Sequence, residues 1–304
     1  MASATSAASP ATGASGVWEI LDPAPVARIE AASAVHEGWI WLAGGLNADG
    51  SATDETWRYE PGTGAWERGP TLPEALHHAA LVSTGESLLL IGGYAGASFA
   101  TPEATVLALN VAGDGWEPAA SLPDARAAGA AVWDGGRVLY AGGVTSGGSV
   151  SRDVLAFDDE QWSVLGQMVA PREHLAAATH GDGRAWLLGG RTLSLESNVG
   201  TVEYVEGSVV ARVGELPTPR GGTAAFYLPS VGACLSGGEE PNLAYDVVEC
   251  IDEDLQVTTL PPLAEPRHGH AAAVVDGAVY VLLGGPQPRL TVSDTVQRFV
   301  PGMP

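Results

Sequence analysis

Lysine is missing altogether from this chain of 304 residues; its positive charge comes from 14 arginines, set against 36 acidic residues, for a formal net charge of −22. Nucleic acid demands a basic surface, so that partner class is excluded, and anionic membrane surfaces are excluded for the same reason. Long apolar runs are also lacking, and no segment reaches the ~18 residues that a membrane helix needs. Residues 1–16 (MASATSAASPATGASG) have neither the basic start nor the apolar stretch of a secretory signal, and their small, polar composition is that of a disordered tail. A soluble protein is expected, either cytoplasmic or exported after processing.

Only two cysteines occur, Cys234 and Cys250, with no Cys-x-x-Cys spacing for zinc. They fall on neighbouring predicted strands. Two buried free thiols are the expectation, and a bridge is the geometric alternative. Gly-x-Ser-x-Gly, a phosphate-binding glycine loop and His-Glu-x-x-His are all missing, so neither cofactor nor metal is expected.

What the chain has in quantity is glycine, and it falls in pairs: Gly44-Gly45, Gly92-Gly93, Gly142-Gly143, Gly189-Gly190, Gly237-Gly238 and Gly284-Gly285. The successive separations are 48, 50, 47, 48 and 47 residues. A period of about 50 residues with strand-like contents marks the blades of a β-propeller. An apolar run such as Leu88 to Ile91 or Val279 to Leu283 precedes each pair and reads as a buried strand. Upstream lies a strand rich in small residues, as at Ala31 to Val35 and Ala271 to Val275, suited to crowding around a central axis. A third strand follows each pair, and a fourth is marked by Trp66, Trp116 and Trp162, with Val210 and Val257 at the matching places.

Sixteen or 17 positions before the pairs stand Arg28, Leu76, Arg126, Arg172, Arg220 and Arg267. Trp18 precedes Arg28 by ten residues, as Trp116 precedes Arg126, so Trp18 belongs to a fourth strand with no first three before it. The last repeat has three strands and then ends. The expectation is all-β: a six-bladed β-propeller of four-stranded antiparallel blades over residues 17–300, closed by the Trp18 strand, with tails at 1–16 and 301–304.

These residues resemble the kelch repeat. It combines the glycine doublet, an aromatic in strand three (Tyr59, Phe157, Phe299), the tryptophan, and arginine after proline (Pro171-Arg172, Pro219-Arg220, Pro266-Arg267). Leu76 departs from that pattern, and so do the fourth and fifth repeats, which lack the tryptophan. The resemblance implies the fold and leaves function open, because kelch propellers include enzymes, adaptors and scaffolds.

In kelch adaptors the similar arginine position captures acidic peptide side chains. The resemblance therefore implies a non-catalytic binding module whose anion-binding face is lined by Arg28, Arg126, Arg172, Arg220 and Arg267, with His78 and His270 beside them. The partner would be an acidic peptide or protein. A structural reading stands against it, in which the same arginines pair with acids or carbonyls and knit the ring together. The alternative function is a mutarotase or epimerase acting on a small anionic sugar, similar to the sialic acid mutarotases. An arginine would then clamp the carboxylate while Glu173, His174 or His270 moves protons. Glu265 also flanks an arginine, and His268 and His270 share one side of a strand, but no third metal ligand is placed near them. Galactose oxidase-like copper chemistry fits poorly, since neither cysteine lies on the proposed ligand face.

Overall fold

The computed structural model describes residues 11–12, 15–158 and 160–302. Most of the 1–16 tail therefore lies outside the described residues, as do the last two positions of the C-terminal tail. The described residues form six sheets of four or five strands around one axis, with three two-stranded ribbons beside them. The first contains Ala32–His36, Trp39–Ala43, Thr56–Glu60 and Ala65–Arg68, paired in that order outward from the axis. The next four repeat this meander, ending with Ala224–Leu228, Gly232–Ser236, Val248–Ile251 and Val257–Leu260. The sixth contains Ala271–Val275, Ala278–Leu282 and Val296–Phe299, and its outer strand is Trp18–Ile20, with Trp18 opposite Phe299. Ala11–Thr12 adds a parallel strand to the outside of the fifth sheet.

The apolar core lies between blades, not at one centre. Ala176, Trp186 and Leu188 of the fourth blade, for instance, pack on Ala233, Leu235 and Ile251 of the fifth. Tryptophan fastens the outside, where the indole N–H of Trp116 donates to Pro70 O at 3.0 Å and that of Trp18 to Pro261 O at 2.9 Å, each one blade back. Cys234 and Cys250 stand directly opposite each other on neighbouring strands and form a disulfide, which corrects the expectation of free thiols.

The doublets have a backbone reason. At Gly142 φ is +67°, and an added Cβ would stand 2.3 Å from the carbonyl oxygen of Arg172 in the next blade. That approach lets Gly143 N–H donate to the same oxygen at 2.9 Å, and the equivalent bond crosses every blade junction at 2.7–2.9 Å. The sixth repeat is displaced by one residue. Leu283, at φ 61°, takes the first-glycine place, and Gly284 N–H makes the bond to Arg28 O.

Two residues beyond the arginine position the chain makes a second, tighter ring. Glu30, His78, Ala128, His174, Gly222 and Gly269 all have left-handed backbone, with φ between 49° and 66°. Each N–H donates to the carbonyl of its predecessor, and Glu30 N–H donates to Gly269 O, so six bonds of 2.8–3.2 Å close a circle around the axis. Among the described residues no helix is long and apolar enough to cross a membrane.

Candidate functional site

The arginine register and the ring two residues beyond it have different fates. All five arginines are at most 4% exposed. Arg172 donates to Gly189 O at 2.6 Å and pairs with Glu203; Arg220 donates to Leu235 O at 2.8 Å and to Glu249 at 2.6 Å. Arg28 pairs with Glu55, and Arg267 with Glu265. Arg126 lies 3.5 Å from both Asp124 and Asp153. Each is buried against a carboxylate and none lines the funnel described below, so Arg28, Arg126, Arg172, Arg220 and Arg267 stand away from the groups a ligand would meet there. In the second blade both members of the pair are apolar, since Leu76 and Leu107 pack in one cluster at the matching positions. The second blade thus fills with a packed apolar pair the place that a buried ion pair takes in the fourth and fifth, a solution that desolvation costs make competitive.

Above the ring of left-handed residues the mouth opens into a funnel of about 560 Å³, within the range of small-molecule sites. Its sides are laid down in pairs, because the residue after each arginine position bridges the residue after each doublet. In the first three blades the pairs are Ile29 with Leu46, His77 with Tyr94, and Ala127 with Val144. In the last three they are Glu173 with Arg191, Gly221 with Glu239, and His268 with Gly285. One side of the funnel is therefore largely apolar and aromatic, and the other is charged. Phe99, Leu193 and Leu290 complete the rim and are exposed.

The charged side is a single network. Arg191 donates to Glu239 at 2.9 Å and to Glu173 at 3.3 Å, so its guanidinium is clamped between two carboxylates. Glu173 also accepts from Leu193 N–H at 3.1 Å and from Nδ1 of His174. Glu239 accepts the backbone N–H of Arg289 at 2.8 Å, and Nδ1 of His268 lies 3.4 Å from it. Burial pushes His78 down to about 3 and holds His174 well below the ordinary histidine value, so both rings are neutral. Burial raises Glu30 to about 7. Glu30, Glu173 and Glu239 face Arg191 across the floor, and Arg289 adds an exposed guanidinium to the same lining.

The structure thus brings together Glu173, His174 and His78 of the sequence-derived candidates. His270 is not in the funnel lining; it lies beneath the ring with Nε2 2.9 Å from Ser236 Oγ. The Glu265 carboxylate is taken by Arg267. Glu30, Arg191 and Glu239 were not singled out, although Glu30 carries a signal, since it stands two residues after Arg28 as His78 and His174 stand two after their own register residues. Glu30, His78 and His174 put one ligand-type atom each within 4.8 Å of one another, a grouping that local spacing does not reveal because whole repeats separate its members.

Comparison with known proteins agrees with this architecture. The family model of the Kelch motif matches residues 27–73, the span of the first blade. Kelch-like protein terF of Aspergillus terreus is 26% identical over 301 residues, covering 91% of this chain and 65% of that protein. Beta-scruin of Limulus polyphemus is 29% identical over 197 residues, covering 60% of this chain and 21% of the other. The chain thus spans less than two thirds of the length of these relatives. The solved structure of YjhT superposes with a TM-score of 0.76 at 12% identity, over 91% of this chain and 95% of that one, a likeness of fold.

Proposed function

We propose that this six-bladed propeller, whose first blade matches the Kelch motif, is a binding module whose ligand enters the funnel on the doublet-loop face. The observation that carries this reading is the two-sided funnel: apolar and aromatic on the side of the first three blades, charged on the other, with Phe99, Leu193 and Leu290 exposed at its rim. Exposed apolar residues around a concave polar floor are what a ligand or an inserted partner loop covers.

The entering group has an apolar flank and a cationic or hydroxylated end. An acidic end would meet Glu30, Glu173 and Glu239, while Arg191 is already committed to two of them. Three probes sharing one ring test this in chelator-treated protein: benzylamine, benzyl alcohol and benzoate, read by thermal shift and calorimetry. The amine or alcohol is expected to bind and benzoate to fail. Preference for benzoate would restore an anion-binding face.

One observation favours a second, catalytic reading of the same funnel. Glu173 and His174 are hydrogen-bonded to each other beside Arg191, an acid–base pair within reach of a cation. Such a pair suits anomer exchange or epimerisation of a sugar. Exchange of sialic acid anomers followed by NMR would then run faster with the protein and lose the gain in Glu173→Gln. An unchanged spontaneous rate removes this reading.

A further inference from the structure

Glu30, His78 and His174 occupy one register of three different blades, and their geometry goes beyond ligand capture. His78 Nε2 lies 3.7 Å from Glu30 Oε2, and His174 Nε2 lies 3.9 Å from Glu30 Oε1. These separations are too long for hydrogen bonds and close to the ~3.4 Å between ligand atoms around a tetrahedral ion with bonds of about 2.0–2.2 Å. Each imidazole has its other nitrogen engaged on the far side. Nδ1 of His174 donates to the Glu173 carboxylate, and Nδ1 of His78 lies 2.6 Å from Nδ1 of His77. For His174 this leaves Nε2 with a lone pair aimed toward a carboxylate. Two such acceptors face each other favourably only with a cation or a proton between them.

The carboxylate behind His174 reproduces the second-sphere arrangement that orients metal-bound histidines. The backbone of all three residues is held by the closed hydrogen-bonded ring, so the donor set is organised before anything binds. The other ring members, Ala128, Gly222 and Gly269, carry nothing beyond a methyl group and leave the axis free.

We propose that Glu30, His78 and His174 bind one divalent transition-metal ion, zinc foremost, on the propeller axis, with an open coordination position facing the funnel. Two imidazoles and a carboxylate select borderline ions over the all-oxygen preferences of magnesium and calcium. The fourth position is accessible from the funnel, where water or a ligand's donor atom completes the shell. The proposal stands whether or not the funnel binds an organic ligand.

The test is zinc titration of the chelator-stripped full chain by competition calorimetry, with cobalt substitution followed by visible absorption. One equivalent is expected at micromolar affinity or tighter, unaffected by excess magnesium or calcium, with cobalt bands of low coordination number. Glu30→Gln, His78→Ala and His174→Ala should each weaken zinc by more than about 100-fold, and Glu173→Gln by about 10–100-fold through loss of orientation. Should a histidine variant fail to fold, the near-isosteric Glu30→Gln carries the test. Lack of a stoichiometric site, or affinity unchanged in Glu30→Gln, overturns the proposal and assigns any bound zinc to the acidic surface.

Discussion

Two registers only two residues apart behave as opposites. The arginine register repeats its chemistry in five of six blades, and there the side chains are buried on carboxylates and hold the blades in shape. The register beyond it repeats only its backbone: six residues share one left-handed conformation and one hydrogen-bonded circle, while their side chains are Glu, His, Ala, His, Gly and Gly. Where every blade needs the same group, the group serves the architecture. Where the backbone is constant and the side chains diverge, the fold has left room for something specific to this protein.

The largest expected effect would break the first half of that comparison. Arg172→Leu strands the buried Glu203 carboxylate and should cost about 3–5 kcal/mol, read from chemical denaturation. Arg172→Glu should be worse, because it sets two carboxylates together in the interior. A loss below about 1 kcal/mol would return the arginine to the list of free surface groups.

Acid should expose the histidines in and beside the second register. His77, His78 and His270 are pushed down to about 3 by burial, whereas the unfolded chain takes up these protons near 6.5. Their contribution is therefore complete above about pH 6.5 and is lost as pH falls toward 3. Glu30 works in the other direction: raised to about 7, it favours the fold most below about pH 4.5 and loses that contribution as pH rises through 7. Melting temperature should begin to fall below about pH 6.5, before ordinary carboxylates titrate, and the fall should be shallower in a His78→Asn variant. A flat profile down to pH 5 would mean that these rings are charged in the fold.

The smallest effect sharpens the contrast. His174→Ala in metal-free protein should shift stability by less than about 1 kcal/mol while changing what the funnel binds, because this ring is anchored through its backbone. Unfolding on a par with Arg172→Leu would make the second register structural too.

Much of the architecture was legible in the sequence because its causes are local: glycine doublets at positive φ, alanine-rich inner strands, a tryptophan ten residues before each of two arginines. The fate of the arginines was not. Their partner acids stand at three different places, Glu55 and Asp153 at the start of the third strand, Glu203 and Glu249 two residues further on, and Glu265 two residues before its own arginine, so no single period aligns them. The sixth doublet was misplaced by one residue because Leu283 adopts a backbone conformation usually left to glycine. The disulfide depends on strand register, which places Cys234 opposite Cys250 and which composition does not reveal. Glu30, His78 and His174 are 48 and 96 residues apart, beyond the reach of any local metal-ligand spacing.

The most direct test compares unfolding of Arg172→Leu with that of the double variant Arg172→Leu/Glu203→Leu, which copies the Leu76 and Leu107 solution of the second blade. If the arginine register is architecture, the double variant recovers most of the stability lost in the single one. If the two losses simply add, the pair is not the unit that holds the blade together, and the division between the registers fails.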